Sequence, residues 1–174
     1  MFNGSKIKLI VSTGLAVAGL GIASLASVSA SAANTGSTTA NVAVGQTITL
    51  SGLTSAFTLS GVPGATATGS SAVTMNVKTN DNLGYTVTVL AAAANMKGTG
   101  TNLDVIPVSS LTVKNSAGAV YTPLSNITPV TTATTTVKTT GFGDAVSNDY
   151  QIVNIPWVNA DTYSVTLNYV ANGN

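Results

Sequence analysis

The stretch that decides the fold is Val73–Val89, which reads VTMNVKTNDNLGYTVTV. In its first half Val73, Met75 and Val77 alternate with polar residues, and in its second half apolar residues alternate with threonine. Alternation with a period of two places the apolar set on one face of a strand and the polar set on the other. The Asn, Asp and Gly residues between the halves favour a tight turn. The stretch therefore predicts two strands, each with one buried face, joined by a hairpin turn at Asn80–Gly84.

Further candidate strands lie on both sides of this stretch. Leu111–Lys114 and Tyr163–Tyr169 alternate strictly. Further candidate strands are Val42–Leu50, Phe57–Ser60, Leu103–Ile106, Ala119–Thr122, Thr134–Thr139 and Tyr150–Ile155. Turn signals separate these runs, and only Leu90–Met96, with its four alanines, could form a short helix. This spacing predicts one all-β domain over residues 41–174, a single antiparallel immunoglobulin-like β-sandwich that buries Trp157 and Tyr163.

The first 32 residues have the layout of a secretory signal peptide. Lys6 and Lys8 are followed by an uncharged, apolar stretch from Leu9 to Val28, and Ala30-Ser31-Ala32 offers small residues for cleavage after Ala32. A second possible cleavage site is Val28-Ser29-Ala30, and a retained membrane anchor is the alternative. Residues 33–40 are rich in Thr, Ser and Gly and predict a flexible linker. We therefore expect a secreted protein, extracellular or at the cell surface, with no membrane span after removal of the signal.

Charge is scarce in this chain, since only 6% of its 174 residues are charged, against about a quarter in a typical soluble domain. The basic residues are all Lys, the acidic residues are all Asp, and Arg, Glu, His and Cys are absent. This inventory excludes Ser-His-Asp and Cys-His catalysis, zinc sites built on His or Cys, and disulfides. After the signal, four Lys face five Asp, so no basic surface is available for nucleic acid. We expect no enzyme, no cofactor and no nucleic-acid partner.

Three constellations of residues bear on possible chemistry. Asp144 and Asp149 are close enough in sequence for a carboxylate pair, but their Gly and Asn neighbours favour turn residues. The run Asn80-Asp81-Asn82 with Gly84 resembles a fragment of a calcium loop, although a turn explains it as well. A Ser–Lys dyad would need a buried Lys, and each Lys after the signal lies in a polar, surface-like context. The prediction is no catalytic residue and no metal site.

Two sequence features bear on covalent modification. A Lys–Asn cross-link would need Lys78 or Lys138 to face Asn168 inside the core, but all three lie on the polar faces of their runs. Asn126-Ile127-Thr128 matches a glycosylation sequon, a short motif that arises by chance in a chain rich in Asn and Thr. The sequence identifies no binding residue.

Two segments resemble bacterial cell-surface sandwiches of the WxL type. Thr79–Tyr85 has the pattern T-N-x-x-x-G-Y, and the tail joins Ile155-Pro156-Trp157 to the alternating run Ala160–Leu167. The resemblance spans residues 73–171 and extends to other secreted sandwiches, including pilus subunits. It implies a sandwich fold and non-covalent binding to peptidoglycan.

The tail departs from the WxL pattern at two points. Trp157-Val158-Asn159 lacks the final Leu, and Tyr169-Val170-Ala171 stands where a second Trp-x-Leu would be expected. Both departures weaken the link to the family's binding function.

Two hypotheses for function follow from a surface of Thr, Ser and Asn with little charge. The first is a non-catalytic structural or adhesive protein that binds cell-wall glycan, another neutral glycan or other surface proteins. The second is a subunit of a surface filament or layer, in which residues 34–50 lend a strand to a neighbouring copy. Pairing of the N-terminal strand within its own chain favours the first hypothesis, and an unpaired arm favours the second.

Overall fold

The computed structural model describes residues 36–174, so the predicted signal peptide at 1–32 and the first residues of the predicted linker lie outside the described residues. The strands are β1 (Ile48–Ser51), β2 (Ala67–Thr79), β3 (Tyr85–Ala91), β4 (Asn95–Lys97), β5 (Val105–Pro107), β6 (Leu111–Asn115), β7 (Thr122–Pro123), β8 (Val130–Thr134), β9 (Asp144–Ile152) and β10 (Leu167–Gly173). One 3₁₀ turn, Val108–Ser110, is the only helical element among these residues. None of the described residues forms a helix long and apolar enough to cross a bilayer.

The strands form antiparallel sheets, which confirms the predicted all-β class. A five-stranded sheet has the order β1-β2-β9-β6-β7, a three-stranded sheet has the order β10-β3-β8, and β4 and β5 form a separate hairpin. The apolar side chains of both larger sheets belong to one buried cluster. Burial of these side chains from water is the main favourable contribution to folding. The two sheets are therefore held by a shared core.

A pair of tyrosines adds a polar link between the two larger sheets. The hydroxyl oxygens of Tyr150 on β9 and Tyr169 on β10 lie 2.5 Å apart, and the Asn148 amide donates to Tyr169 at 3.2 Å. Burial raises the pKa of both tyrosines, so both hydroxyls keep their protons for this bond. A buried hydroxyl needs such a partner to offset its desolvation.

The Val73–Val89 stretch forms both predicted strands, but the predicted hairpin is wrong. The odd-numbered residues from Val73 to Thr79 on β2 and along β3 are buried, as expected. However, β2 pairs with β1 and β9, whereas β3 pairs with β10 and β8. The turn at Asn80–Gly84 therefore carries the chain from the five-stranded to the three-stranded sheet. The two halves face each other through their side chains instead of through backbone hydrogen bonds.

The predicted N-terminal strand, Val42–Leu50, is shortened to β1 because side chains of the turn bind the backbone just before it. The Asn80 amide donates to the Gly45 carbonyl at 2.8 Å, and the Asn80 carbonyl oxygen accepts from Thr47 N–H at 2.7 Å. These hydrogen bonds tie the backbone of Gly45 and Thr47 to the Asn80 side chain, so these residues do not pair with a neighbouring strand. Ile48–Ser51 then pairs with β2 in its own chain.

Two other predicted strands do not form where they were expected. Phe57–Ser60 is not a strand, and Phe57 instead packs its ring 4.5 Å from the Tyr150 ring. Thr134–Thr139 contributes only its first residue to β8, because the hydroxyls of Thr135 and Thr139 bond to other backbone groups. Such side-chain bonds compete with a strand ladder.

The remaining differences concern element type and boundaries. Leu90–Met96 is not helical, since it contains the end of β3 and the start of β4. Four predicted runs are shifted: Leu103–Ile106 to β5, Ala119–Thr122 to β7, Tyr150–Ile155 to the longer β9 and Tyr163–Tyr169 to β10. The first part of that last run keeps one bridge, between Ser164 and Lys97.

The sheet-crossing turn generates a prediction about Gly84. Gly84 has φ +83°, and a Cβ at this position would meet the Thr135 carbonyl oxygen at 2.3 Å. A side chain here combines backbone strain with a clash, so Gly84→Ala should lower the free energy of unfolding by about 2–4 kcal/mol. Urea denaturation followed by circular dichroism measures this loss.

The matched control is Gly141→Ala, where a Cβ would have no atom within 4 Å and φ is not positive. It should change stability by less than about 0.5 kcal/mol, as expected for an exposed surface position. Equal effects of the two substitutions would contradict the role assigned to Gly84.

Candidate functional site

Lys114 and Asp149 form an ion pair across neighbouring strands. They are register partners on β6 and β9, with 3.0 Å between Lys114 Nζ and Asp149 Oδ2. Their side chains are only 16% and 12% exposed. Lys114 also donates to the Gly118 carbonyl at 3.0 Å and lies 5.4 Å from the centre of the Tyr121 ring. The prediction that every Lys is surface-like is therefore wrong for Lys114.

Asp149 accepts two further hydrogen bonds. Its Oδ1 accepts from Ser116 Oγ at 2.6 Å and from Ser71 N–H at 2.7 Å. Ser71 has φ +49° and lies in the irregular part of the β2–β9 ladder, between Gly69 and Val73. These bonds, together with the Lys114 ammonium, lower the pKa of Asp149 to about 2. A carboxylate so fully engaged stabilises the sheet and is not free for proton transfer.

The predicted turn location of Asp144 and Asp149 is wrong, because both lie on β9. Their separation of five positions on a strand directs the side chains to opposite faces. Asp144 lies beside Tyr85, where burial and the nearby carboxylate raise the pKa of the phenol to about 12. The two aspartates do not form a carboxylate pair.

The oxygen atoms of Asp81 in the Asn80–Gly84 turn accept hydrogen bonds from within the protein. Asp81 Oδ1 accepts from Leu83 N–H at 2.9 Å, and Asp81 Oδ2 accepts from the Gln46 amide. The Gly84 N–H donates to the Asp81 carbonyl at 3.1 Å. This is the bonding of an Asx turn. Within residues 36–174 no group of three acidic, His or Cys side chains is arranged to hold a metal ion.

The residues that a cross-link or a glycan would use are all exposed. Lys78 lies on β2, Lys138 follows β8, and Asn168 lies on β10. The sequon Asn126–Thr128 lies in an exposed turn in which Ser125 Oγ accepts from the next backbone N–H groups. The three exposed side chains do not form the enclosed Lys–Asn pair that a cross-link would need.

Trp157 is the clearest departure from the predicted core. Its side chain is 92% exposed, whereas Tyr163 is partly buried against the core. Ile155 and Val158, on either side of Trp157, pack against that core and leave the indole outside. The Asn159 N–H donates to Asp104 Oδ2 at 2.8 Å, which fixes the chain after Trp157. The indole is therefore presented to solvent by an anchored loop.

Hydrogen bonds tie this loop to a second one. Asp161 Oδ2 accepts from Thr99 N–H at 2.7 Å and from the Asn102 amide at 2.8 Å, and Asp161 Oδ1 accepts from Thr99 Oγ1 at 2.5 Å. The Tyr163 hydroxyl donates to the Asn159 carbonyl at 2.9 Å. Bonding by Thr99 and Asn102 lowers the pKa of Asp161 to about 2. We call residues 98–104 and 157–163 together the Trp157 loop site.

The Trp157 loop site combines an exposed aromatic face with hydroxyl and amide groups. Leu103, also 92% exposed, adds apolar surface on the second loop. A flat aromatic ring offers dispersion and an electron-rich face to a ligand, while the polar groups nearby can exchange hydrogen bonds with it. The arrangement can bind, but it presents no activated nucleophile or poised base.

Sequence reasoning did not find the ion pair or the loop network, because both depend on pairs of segments distant in sequence. Lys114 and Asp149 are 35 positions apart, and nothing local reveals their register. A weaker signal existed for the loops: both GTGTNLD (98–104) and WVNADTY (157–163) are rich in Asn, Asp and Thr. These residues favour loops in which side chains bond to the backbone.

The exposure of Trp157 can be tested directly because it is the only Trp in the chain. Unfolding should change its environment little, since the side chain is already in water. We expect the emission maximum and acrylamide quenching of the folded protein to be close to those in concentrated urea. A blue-shifted emission protected from quenching in the folded protein would contradict the exposed position.

The ion pair predicts a specific acid sensitivity. The folded state holds the Asp149 pKa at about 2, below its ordinary 3.8, so its stabilisation is present above about pH 5 and is lost as the pH falls toward 2. The loss should be about 1–2 kcal/mol for a partly solvated pair. Asp149→Asn should remove this portion of the pH dependence, measured as the free energy of unfolding.

A double-mutant cycle serves as the control for that measurement. Lys114→Met and Asp149→Asn, alone and combined, should show a coupling energy of about 1 kcal/mol or more. Additive effects would contradict a direct interaction between the two side chains.

Comparisons with known proteins do not place this chain in a family. No protein-family model matches it, and no curated protein matches it. The resemblance to WxL-type and pilus-type surface proteins therefore stays a prediction, and function must be argued from the Trp157 loop site.

Proposed function

We propose that this chain is a secreted, non-catalytic cell-surface protein that binds neutral glycan of the cell wall non-covalently through the Trp157 loop site. The observation that carries the proposal is the 92% exposure of Trp157 on a loop fixed on both sides. Single exposed apolar side chains are common on soluble domains, so what distinguishes Trp157 is that the indole is held on a loop that is hydrogen-bonded to a second loop. In a loop that is already anchored, the indole is held ready for a ligand.

The chemistry around Trp157 suits an uncharged sugar ring. A pyranose has an apolar C–H face that can lie on an indole and hydroxyls that exchange hydrogen bonds with exposed polar groups such as the Asn159 amide and the Thr162 hydroxyl. The two carboxylates of the site, Asp104 and Asp161, already accept hydrogen bonds from the loops. These hydrogen bonds hold both carboxylates in place, and their negative charge disfavours an anionic ligand.

Phe142 shows that exposure alone does not define the site. Its side chain is 94% exposed, on a turn between Gly141 and Gly143. Among the described residues, the hydrogen bonds of this turn join Thr140 and Gly143 and involve no carboxylate or side-chain amide. The proposal therefore concerns the combination of an aromatic side chain with a fixed polar frame.

The wider architecture is consistent with a surface role. The layout of residues 1–32 predicts export. Two antiparallel sheets that share one core are what an immunoglobulin-like sandwich would contain, and we propose that class for residues 41–174. The absence of His, Cys, Arg and Glu from the sequence supports a non-catalytic protein.

The test compares Trp157→Ala with Phe142→Ala in co-sedimentation with purified cell walls. Loss of the indole should weaken binding at least tenfold, which corresponds to about 1.4 kcal/mol. Phe142→Ala removes an equally exposed aromatic side chain and should bind like the unchanged protein. Circular dichroism of both variants confirms that the fold is retained.

A second measurement uses the single Trp as the reporter. Oligosaccharides of N-acetylglucosamine, which are neutral, should change Trp157 fluorescence in a saturable way. Equal sedimentation of Trp157→Ala and the unchanged protein, with no fluorescence change, would overturn the proposal.

A further inference from the structure

A cleft of about 410 Å³ is lined by residues of both larger sheets. The five-stranded sheet contributes residues 144–147 at the start of β9 and residues 115–117 at the end of β6. The three-stranded sheet contributes Tyr85 at the start of β3 and residues 133–135 at the end of β8. Small-molecule sites have volumes of about 300–1,000 Å³, mostly apolar walls and a few convergent polar groups. The cleft has the size of such a site.

This cleft is separate from the Trp157 loop site. Strand β3 runs from Tyr85, which lines the cleft, to Ala91, whose register partner is Leu167. The Trp157 loop site ends at Tyr163, shortly before Leu167, and so adjoins the other end of β3. A seven-residue strand spans about 20 Å. A ligand in the cleft would therefore occupy a second site.

Asp144 differs from the other aspartates in its bonding. Each of the other four, at positions 81, 104, 149 and 161, accepts a hydrogen bond from a backbone N–H group. Within residues 36–174, no backbone N–H bonds to the Asp144 side chain and no Lys ammonium forms an ion pair with it. Its polar neighbour is the phenol of Tyr85. The cleft thus contains a negative charge that no cation of the described chain neutralises.

Other polar side chains around the cleft are engaged within the protein. The Asn115 amide donates to the Thr132 carbonyl at 3.0 Å, and Ser116 Oγ donates to Asp149 Oδ1 at 2.6 Å. Much of the remaining wall consists of apolar residues: Ala117, Ala133, Ala145 and Val146. The cleft therefore combines apolar walls with one carboxylate and one phenol.

We propose that this cleft binds a primary ammonium group at the end of an aliphatic chain, such as a lysine side chain of a peptide or a diamine carries. The ammonium would form an ion pair with the Asp144 carboxylate and donate a second hydrogen bond to the Tyr85 phenolic oxygen. The methylene groups would pack on the alanine and valine walls, as the stem of a lysine packs on apolar surface. Charge complementarity and apolar contact together define the ligand.

Two other kinds of ligand fit the cleft less well. A calcium ion takes six to eight oxygen ligands, and the described chain holds no group of three acidic side chains arranged for a metal. A neutral sugar needs several unengaged hydrogen-bonding groups, whereas the side chains of Asn115 and Ser116 are already bonded. An organic cation uses the one group that is free, the Asp144 carboxylate.

The test titrates two amines into the full-length protein and follows backbone amide shifts by nuclear magnetic resonance. Nα-acetyl-lysine methylamide represents lysine in a peptide, and cadaverine represents a diamine. Both should cause saturable shifts at residues 115–117 and 144–147, and the tighter of the two identifies the source of the ammonium. Acetylation of the lysine Nε atom removes the charge and should weaken binding at least tenfold. Equal binding of the acetylated compound would overturn the proposal.

Variants test the two parts of the cleft separately. Asp144→Asn keeps the shape of the side chain but removes its charge, and it should raise the Kd for both amines at least tenfold. Ser55→Lys makes the same change in net charge at an exposed loop residue and should bind like the unchanged protein. Unchanged affinity of Asp144→Asn would overturn the proposal.

Ala117→Leu narrows the cleft at an exposed residue and leaves Asp144 in place. It should weaken binding at least fivefold, and it tests the proposal even where Asp144→Asn folds poorly. Circular dichroism checks the fold of each variant. Binding by Ala117→Leu as tight as that of the unchanged protein would count against the cleft as the site.

This inference does not rest on the proposed glycan binding. Trp157→Ala should keep its affinity for both amines, because the indole lies at the other end of β3. Loss of amine binding in Trp157→Ala would overturn the assignment to a second site. Failure of Trp157→Ala to change sedimentation with cell walls would affect the proposed function alone.

Discussion

The turn at Asn80–Gly84 is the constraint on which the rest of the structure depends. It reverses the chain and moves it from one sheet to the other, which requires the positive φ of Gly84 against the Thr135 carbonyl. Asn80 and Asp81 then bind the backbone or side chains of residues 45–47 and 83. One turn thus connects the two sheets and fixes the start of β1.

The period-two pattern was enough to predict strands, because a strand with one buried face shows alternating apolar and polar residues over a short segment. Val73–Val77 and Tyr85–Val89 are strands with the predicted inward faces. Which strand each one pairs with is not local: the same alternation fits a hairpin and a crossing between sheets, and only the structure separates them. The Lys114–Asp149 pair and the Trp157 loop site were missed for the same reason, since each joins segments far apart in the chain.

Trp157 shows why composition misleads about burial. A large aromatic side chain in a chain with few aromatics is expected in the core. Here Ile155 and Val158 fill that role, and the indole lies outside. With few charges available, the fold relies on hydroxyls and amides for its polar contacts, as in the Tyr150–Tyr169 pair. The Lys114–Asp149 ion pair is an exception to this reliance on uncharged groups, and it adds a charged contact between the paired strands β6 and β9.

The scarcity of basic residues also bears on resistance to proteases. Proteases of the trypsin type cut after Lys or Arg, and residues 36–174 contain only Lys78, Lys97, Lys114 and Lys138. Lys78 and Lys97 lie within strands, and the Lys114 ammonium is engaged by Asp149. A protease needs an extended, accessible segment to cut. Lys138, exposed after β8, is thus the one lysine of the described chain outside a strand, and a single nick there is the natural first product of digestion.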